Sequence, residues 1–288
     1  MYLFLQALIS GLLMGGIYSF TAIGLTLIYG VMDIVNFAHG SFLMWGMYLA
    51  FWSFVLLGVD PYLSMLGGMI IFFVLGLGIQ KWLIKPVLNA PHYIQILLTI
   101  GLLLVMDNLA LFFFSPDYRT VRVSYADSSF YLGPALVNLP RLIAFIAALL
   151  LTAALYLFLR KTDMGKAIRA SSEEKIGARL VGINVDVINM VAFGIGTACV
   201  GIAGCMLTPF FYVAPDVGFS FVIKAFVIVV MGGMGNFVGA LVCGLFIGLT
   251  ESLGAAFMSG SLKDLPTYVV FIIVLLLRPQ GVFTFRKG

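Results

Sequence analysis

Leu97-Leu98-Thr99-Ile100-Gly101-Leu102-Leu103-Leu104-Val105-Met106-Asp107-Asn108-Leu109-Ala110-Leu111-Phe112-Phe113-Phe114 is almost unbroken hydrocarbon, interrupted only by Asp107-Asn108. A helix needs about 20 mostly apolar residues to cross the hydrocarbon core of a bilayer. Ile143 to Leu159 is a second run of the same kind. Strands of an outer-membrane barrel alternate apolar and polar residues over about 10 positions. These runs do not alternate, so they read as membrane-spanning helices.

The rest of the chain agrees. Of its 288 residues, 62% are hydrophobic and 10% charged, and the mean hydropathy is +1.13. A soluble domain carries about a quarter charged residues, and a water-facing globule of this composition would expose large apolar patches. A soluble enzyme, a nucleic-acid-binding protein and a disordered chain are thereby excluded. The expected fold is all-α: a polytopic integral membrane protein with roughly 8–9 transmembrane helices, interrupted segments included. The expected runs are 3–29, 38–58, 62–80, 93–114, 141–159, 187–212, 219–252 and 265–278. The first reads as a retained span, since no Lys or Arg precedes Lys81 to form the basic region of a secretory signal. Cys199, Cys205 and Cys243 lie in apolar stretches without zinc-ligand or disulfide spacing and read as small packing residues.

Most of the basic residues fall into three clusters: Lys81 and Lys85; Arg160, Lys161, Lys166, Arg169, Lys175 and Arg179; and Arg278, Arg286 and Lys287. The positive-inside rule places all three in the cytoplasm, with Ser115 to Pro140 and the N-terminus outside. For the last cluster to be cytoplasmic, the 34-residue run 219–252 must split at Gly232-Gly233-Met234-Gly235-Asn236 into two pieces. The alternative is one tilted span and an external tail.

Two interruptions therefore stand out, Gly30 to Ser41 and Gly232 to Gly239, and both contain Asn-Phe followed by a glycine. Irregular backbone at membrane depth is tolerated only where protein buries it or a cavity adjoins it, and transporters place substrate sites at such breaks. The candidate substrate pathway is accordingly Asp33, Asn36, Phe37, His39 and Ser41 at the first break, and Gly232, Gly233, Asn236 and Phe237 at the second. Asp107 and Asn108, polar inside an apolar run, join them. Asp33, Asn36 and His39 recur every third residue, a spacing that puts them on one helical face. Glu251 and Lys224 also interrupt apolar runs, and each invites a buried partner. Gly11 and Gly15, Gly235 and Gly239, and Gly244 and Gly248 have the spacing of close helix–helix seams.

Several chemistries are missing from the sequence. Gly165-Lys166-Ala167 lacks the rest of a phosphate loop, and neither HExxH nor GxSxG occurs. Two histidines, His39 and His92, do not make a metal site. The chain is thus expected to be no enzyme, with no metal and no bound cofactor.

Residues 160–186 form the one long polar segment on the cytoplasmic side. Met164 to Val181 reads as a single helix carrying Ile168, Ile176 and Leu180, with Gly182 as C-cap and Asn184 or Asp186 capping the next span. Such a helix lies on the membrane surface or docks into a partner's groove.

Gly24-Leu-Thr-Leu-Ile-Tyr-Gly-Val-Met-Asp-Ile-Val-Asn-Phe-Ala-His-Gly-Ser41 closely resembles the first signature of branched-chain amino acid ABC importer permeases of the LivH type. Glu173-Glu174 through Ala178-Arg179-Leu180-Val181-Gly182-Ile183-Asn184-Val185 resembles that family's cytoplasmic coupling loop. Met231-Gly-Gly-Met-Gly-Asn-Phe-Val-Gly-Ala240 resembles its glycine-rich C-terminal signature. One departure is Ser171-Ser172-Glu173-Glu174-Lys175, more polar than the family's acidic-plus-alanine run. The resemblance implies a single transmembrane permease domain over 1–288, multi-pass in the bacterial inner membrane. It implies a second homologous permease subunit, two cytoplasmic ATPase subunits holding ATP and Mg, an external substrate-binding protein, and no nucleic acid. Glu173, Glu174, Ala178, Arg179 and Gly182 would then form the ATPase-coupling loop. The rival reading is a stand-alone secondary transporter or channel that uses Asp33, Asp107 or Glu251 as a proton or cation site.

Overall fold

The computed structural model describes residues 2–133, 135–258 and 262–283. Seven helices are long and apolar enough to cross a bilayer: α1 (Tyr2–Met32), α2 (His39–Leu57), α3 (Ser64–Ile79, extended to Val87 by a wider and then a tighter turn), α4 (His92–Phe114), α5 (Leu139–Lys161), α8 (Val185–Leu207) and α10 (Phe237–Phe257). Two shorter apolar helices, α9 (Val217–Gly232) and α11 (Leu265–Leu277), bring the helical runs to the expected range. The long run does split at Gly232–Asn236. Between α5 and α8 lie two short helices, α6 (Asp163–Glu173) and α7 (Lys175–Leu180).

The mostly buried α1 is the hub, packed against α10, α8, α5 and α9. Small residues decide how close these helices come. A Cβ on Gly11 would lie 2.7 Å from the Gly248 carbonyl oxygen, and one on Gly15 would lie 2.8 Å from Leu245 Cα. Two of the expected glycine seams, Gly11/Gly15 and Gly244/Gly248, thus face each other across one interface. Ser19 Oγ then reaches over to the Leu241 carbonyl at 2.8 Å. In lipid such close packing, with its interhelical hydrogen bonds, replaces the hydrophobic drive that water would supply. Cys199, Cys205 and Cys243 are buried free thiols.

Lys224 of α9 is buried, and its ammonium lies 2.6 Å from Glu251 of α10, 3.3 Å from Asp264 before α11 and 3.3 Å from the Tyr18 hydroxyl of α1. The partners expected for Lys224 and Glu251 are therefore each other, and the cluster ties four segments of chain together.

Contacts between distant segments sort the loops into two ends. At one end Lys85 pairs with Asp186 at 2.8 Å and Lys175 with Asp33 at 2.9 Å. Val282 N–H donates to the Met231 carbonyl at 2.8 Å there as well. This is the end of the basic clusters, and it holds the chain as far as Phe283; Arg286 and Lys287 lie outside the described residues. At the other end Tyr125 donates to Asp60 at 2.5 Å, and Arg119 bridges to Val213. A two-stranded antiparallel hairpin not foreseen in the sequence also lies there, β1 (Ser129–Leu132) on β2 (Ala135–Asn138). It turns at Gly133, which has φ +60. Gln6 of α1 clamps it with two 2.8 Å bonds to the Leu136 backbone.

Candidate functional site

The first break begins where α1 stops. Asp33 has φ +60, a left-handed conformation that ends a right-handed helix. Residues 33–38 then run back along α1, and His39 Nε2 comes to 3.0 Å from the Thr21 carbonyl oxygen. Thr21 precedes the end of α1 at Met32 by 11 residues, about 16 Å at 1.5 Å rise per residue. Helix α2 therefore starts inside the bundle rather than at its edge. Helices α4 and α9 cover the unwound backbone. Thr99 Oγ1 donates to the Val35 carbonyl at 3.0 Å, the Phe37 ring sits 5.0 Å from that of Phe226, and a methyl on Gly40 would collide with the Gly218 carbonyl.

This geometry corrects the reading of Asp33, Asn36 and His39 as one helical face. The chain from Asp33 to Ala38 is not helical, and the three side chains diverge. Asp33 points to the basic end and meets Lys175. Asn36 is wholly buried, its Oδ1 accepting from Ala38 N–H at 3.1 Å while its Nδ2 finds no partner among the described residues. His39 is also wholly buried, with Nδ1 unpartnered among the described residues. Ser41, in the first turn of α2, donates to Asp107 Oδ1 of α4 at 2.7 Å. Asp107 thus belongs to the first break. Its neighbour Asn108 does not; it is exposed and donates to Leu104 of its own helix at 2.8 Å.

The second break is a tight hairpin. Gly233 and Gly235 have φ +91 and +87, which only glycine adopts cheaply, and a methyl on Gly232 would lie 2.5 Å from the Gly239 carbonyl carbon. Asn236 holds the turn from both sides. Its Oδ1 accepts from Gly239 N–H at 2.9 Å, capping α10, and its Nδ2 donates to Phe283 at 2.9 Å. Phe237 leans on Tyr156 of α5, ring centroids 5.8 Å apart. The two breaks meet at Gly30 and Gly235, where a Cβ on Gly30 would lie 3.1 Å from Gly235 Cα.

The segment between α5 and α8 also differs from the expected single helix over 164–181. Glu174 is extended (φ −154, ψ 102) and divides it. Thr162 caps α6 by accepting from Gly165 N–H at 3.0 Å, and Glu174 caps α7 by accepting from Ile176 N–H at 3.1 Å. The division separates apolar residues that one straight helix would hold on one stripe. Ile168 is buried, whereas Ile176, Leu180 and Val181 are 70%, 84% and 76% exposed. Ala178 turns inward; Glu173, Glu174, Arg179 and Gly182 lie at the surface. Gly182, φ +85, ends α7 as expected, with Ile183 N–H donating to the Ala178 carbonyl at 3.0 Å.

Residues 7–275 match the family model of the branched-chain amino acid transport system permease component. The chain belongs to this family. It is 32% identical over 97% of its length to the high-affinity branched-chain amino acid transport system permease protein LivH of Salmonella typhimurium, covering 95% of that protein. It is 31% identical over 98% of its length to BraD of Pseudomonas aeruginosa, covering 96% of it. A shorter likeness, 29% over 49% of this chain and 34% of the relative, links it to LivM of Escherichia coli, a permease protein of the same kind of system. No solved structure matches. In this structure Lys175, the first residue of α7, is joined through Asp33 to the unwound stretch that leads into α2.

Proposed function

We propose that the chain is the membrane-spanning permease subunit of an ATP-driven importer of branched-chain or related amino acids. It would work with a second homologous permease in the bacterial inner membrane, and an external binding protein would deliver the solute. ATP and Mg belong to two cytoplasmic ATPase subunits. Their docking face is the apolar Ile176, Leu180 and Val181 patch, ringed by Glu173, Glu174 and Arg179.

The observation that carries this reading is the Lys175–Asp33 ion pair. It joins a bare apolar helix at the basic end directly to the residue where α1 unwinds. Movement of α7 by the ATPases pulls on the unwound stretch, and the start of α2 moves with it. Asn36, His39, Ser41 and Asp107 lie on that path. Asp107 lacks a cationic partner among the described residues and suits a solute's ammonium group. Against a stand-alone ion-coupled carrier stands the pairing of two of its three candidate carboxylates, Asp33 with Lys175 and Glu251 with Lys224, which leaves Asp107 as the one without a cation among the described residues.

The test is purification of the tagged chain in mild detergent, followed by reconstitution. Co-purifying ATPases and a second permease, with ATP-dependent uptake of leucine, isoleucine or valine, support the reading. A chain that arrives alone and transports on a proton or sodium gradient refutes it.

A further inference from the structure

The basic end carries a cavity of ≈ 410 Å³ where α1, α5, α6 and the start of α10 converge. That is the size of a small-molecule site, roughly 300–1,000 Å³. Its walls are apolar: Leu27 and Val31 of α1, Leu159 of α5, Ile168 of α6 and Phe237 of α10. Its two charged groups are both cationic, and the hydroxyls of Thr26, Tyr156 and Ser172 share the wall. Arg160 and Arg169 line it, and each spends one donor nearby: Arg160 Nη1 on the Tyr156 hydroxyl at 3.3 Å and Arg169 Nε on the Leu159 carbonyl at 3.0 Å. A guanidinium has five donors in a fork that fits a carboxylate. Helix α10 presents its N-terminal end there through Phe237, which favours an anion. Thr26 also lines the cavity; it is 2% exposed, and its hydroxyl has no partner among the described residues. No acidic side chain lines the cavity.

We propose that this cavity binds a small aliphatic carboxylate from the cytoplasmic side. The carboxylate sits against Arg160 and Arg169 and accepts from the Thr26 hydroxyl, and the aliphatic part fills the space between Val31, Ile168 and Phe237. The bound molecule touches α6 and the membrane helices at once, so it pins the coupling segment to α1 and α5. That the natural occupant is the imported amino acid, acting as a brake after release, rests on the importer reading; the site chemistry does not.

The experiment uses the full-length permease in phosphatidylcholine nanodiscs, titrated calorimetrically with L-leucine, isovalerate and isoamylamine. Leucine and isovalerate bind saturably and isoamylamine, which lacks the carboxylate, does not. Amide exchange of Asp163–Glu173 slows when isovalerate is added. Arg160→Gln, on the exposed rim, and Thr26→Val, nearly isosteric, each weaken binding by about tenfold, the scale of one lost charge-assisted or buried hydrogen bond. Absence of saturable binding, or binding unmoved by Arg160→Gln, overturns the proposal. So does loss of isovalerate binding in nanodiscs that include phosphatidylglycerol, because the cavity then belongs to a lipid headgroup. Leucine uptake without isovalerate binding sinks the cavity and leaves the importer standing; binding without amino-acid uptake does the reverse.

Discussion

Lys175 Nζ lies 2.9 Å from Asp33 Oδ2, so an ion pair closes across 142 residues of sequence between α7 and the end of α1. Both side chains are substantially exposed, and exposed pairs contribute under about 1 kcal/mol to stability. On the proposed function its value is in transmission. Lys175→Glu or Asp33→Lys alone should leave thermal stability within about 1 kcal/mol. Each should lower ATP-driven uptake roughly fivefold or more, the low end of typical coupling free energies. The double exchange should restore uptake in proteoliposomes; failure to restore would mean the two residues act separately.

Glu174 ends α6 and caps α7, so Glu174→Ala should cost about 1 kcal/mol of local helix stability. Hydrogen exchange across Lys175–Leu180 should quicken while the spans stay protected. Leu180→Asp places a charge on the bare patch without touching the fold. The ATPases should then no longer co-purify, although the permease still elutes as a single species.

Glycines at seams and glycines in open space should respond oppositely to alanine. A Cβ on Gly15 would sit 2.8 Å from Leu245 Cα, whereas nothing lies within 4 Å of one on Gly101. Gly15→Ala should destabilise by about 1–3 kcal/mol through overpacking. Gly101→Ala, in the interior of α4, should be neutral or stabilising by up to about 1 kcal/mol. Thermal unfolding in detergent checks both, and a neutral Gly15→Ala would show that α1 and α10 are not so closely apposed.

Lys224→Met strands two carboxylates in a buried cluster. Removing one partner of a buried pair costs about 3–5 kcal/mol, so this variant should lose most of its folded yield. Lys224→Met with Glu251→Gln should recover much of it, because the uncompensated charge is reduced. No recovery would mean that packing rather than charge holds α9 to α10.

Asp107→Asn keeps the shape of the Ser41 contact and removes the charge. If Asp107 receives the solute's ammonium group, uptake should lose apparent affinity for leucine by roughly tenfold or more while ATP hydrolysis continues. Asn108→Ala, on the exposed side of the same helix, serves as the control and should change neither.

The sequence by itself determined the layer in which this protein lives and most of its helices. The run ending at Phe114 is α4, the runs around it fall within a few residues of the observed spans, and the split at Gly232–Asn236 is real. These features are local: bilayer thickness fixes how many apolar residues a span needs, and paired glycines with a capping asparagine break a helix wherever they occur. The family signatures were legible for the same reason.

What the sequence did not determine was direction. Spacing placed Asp33, Asn36 and His39 on one face, yet the left-handed Asp33 sends them apart, and Thr99, Phe226 and Gly218 from other helices hold the unwound chain. One helix was expected over 164–181, yet Glu174 divides it, turning Ile168 inward and Ile176 outward. Nothing within either segment fixes these choices. They follow from which distant helices a residue meets, and those meetings are decided only when small residues in α1, α8 and α10 close into one bundle.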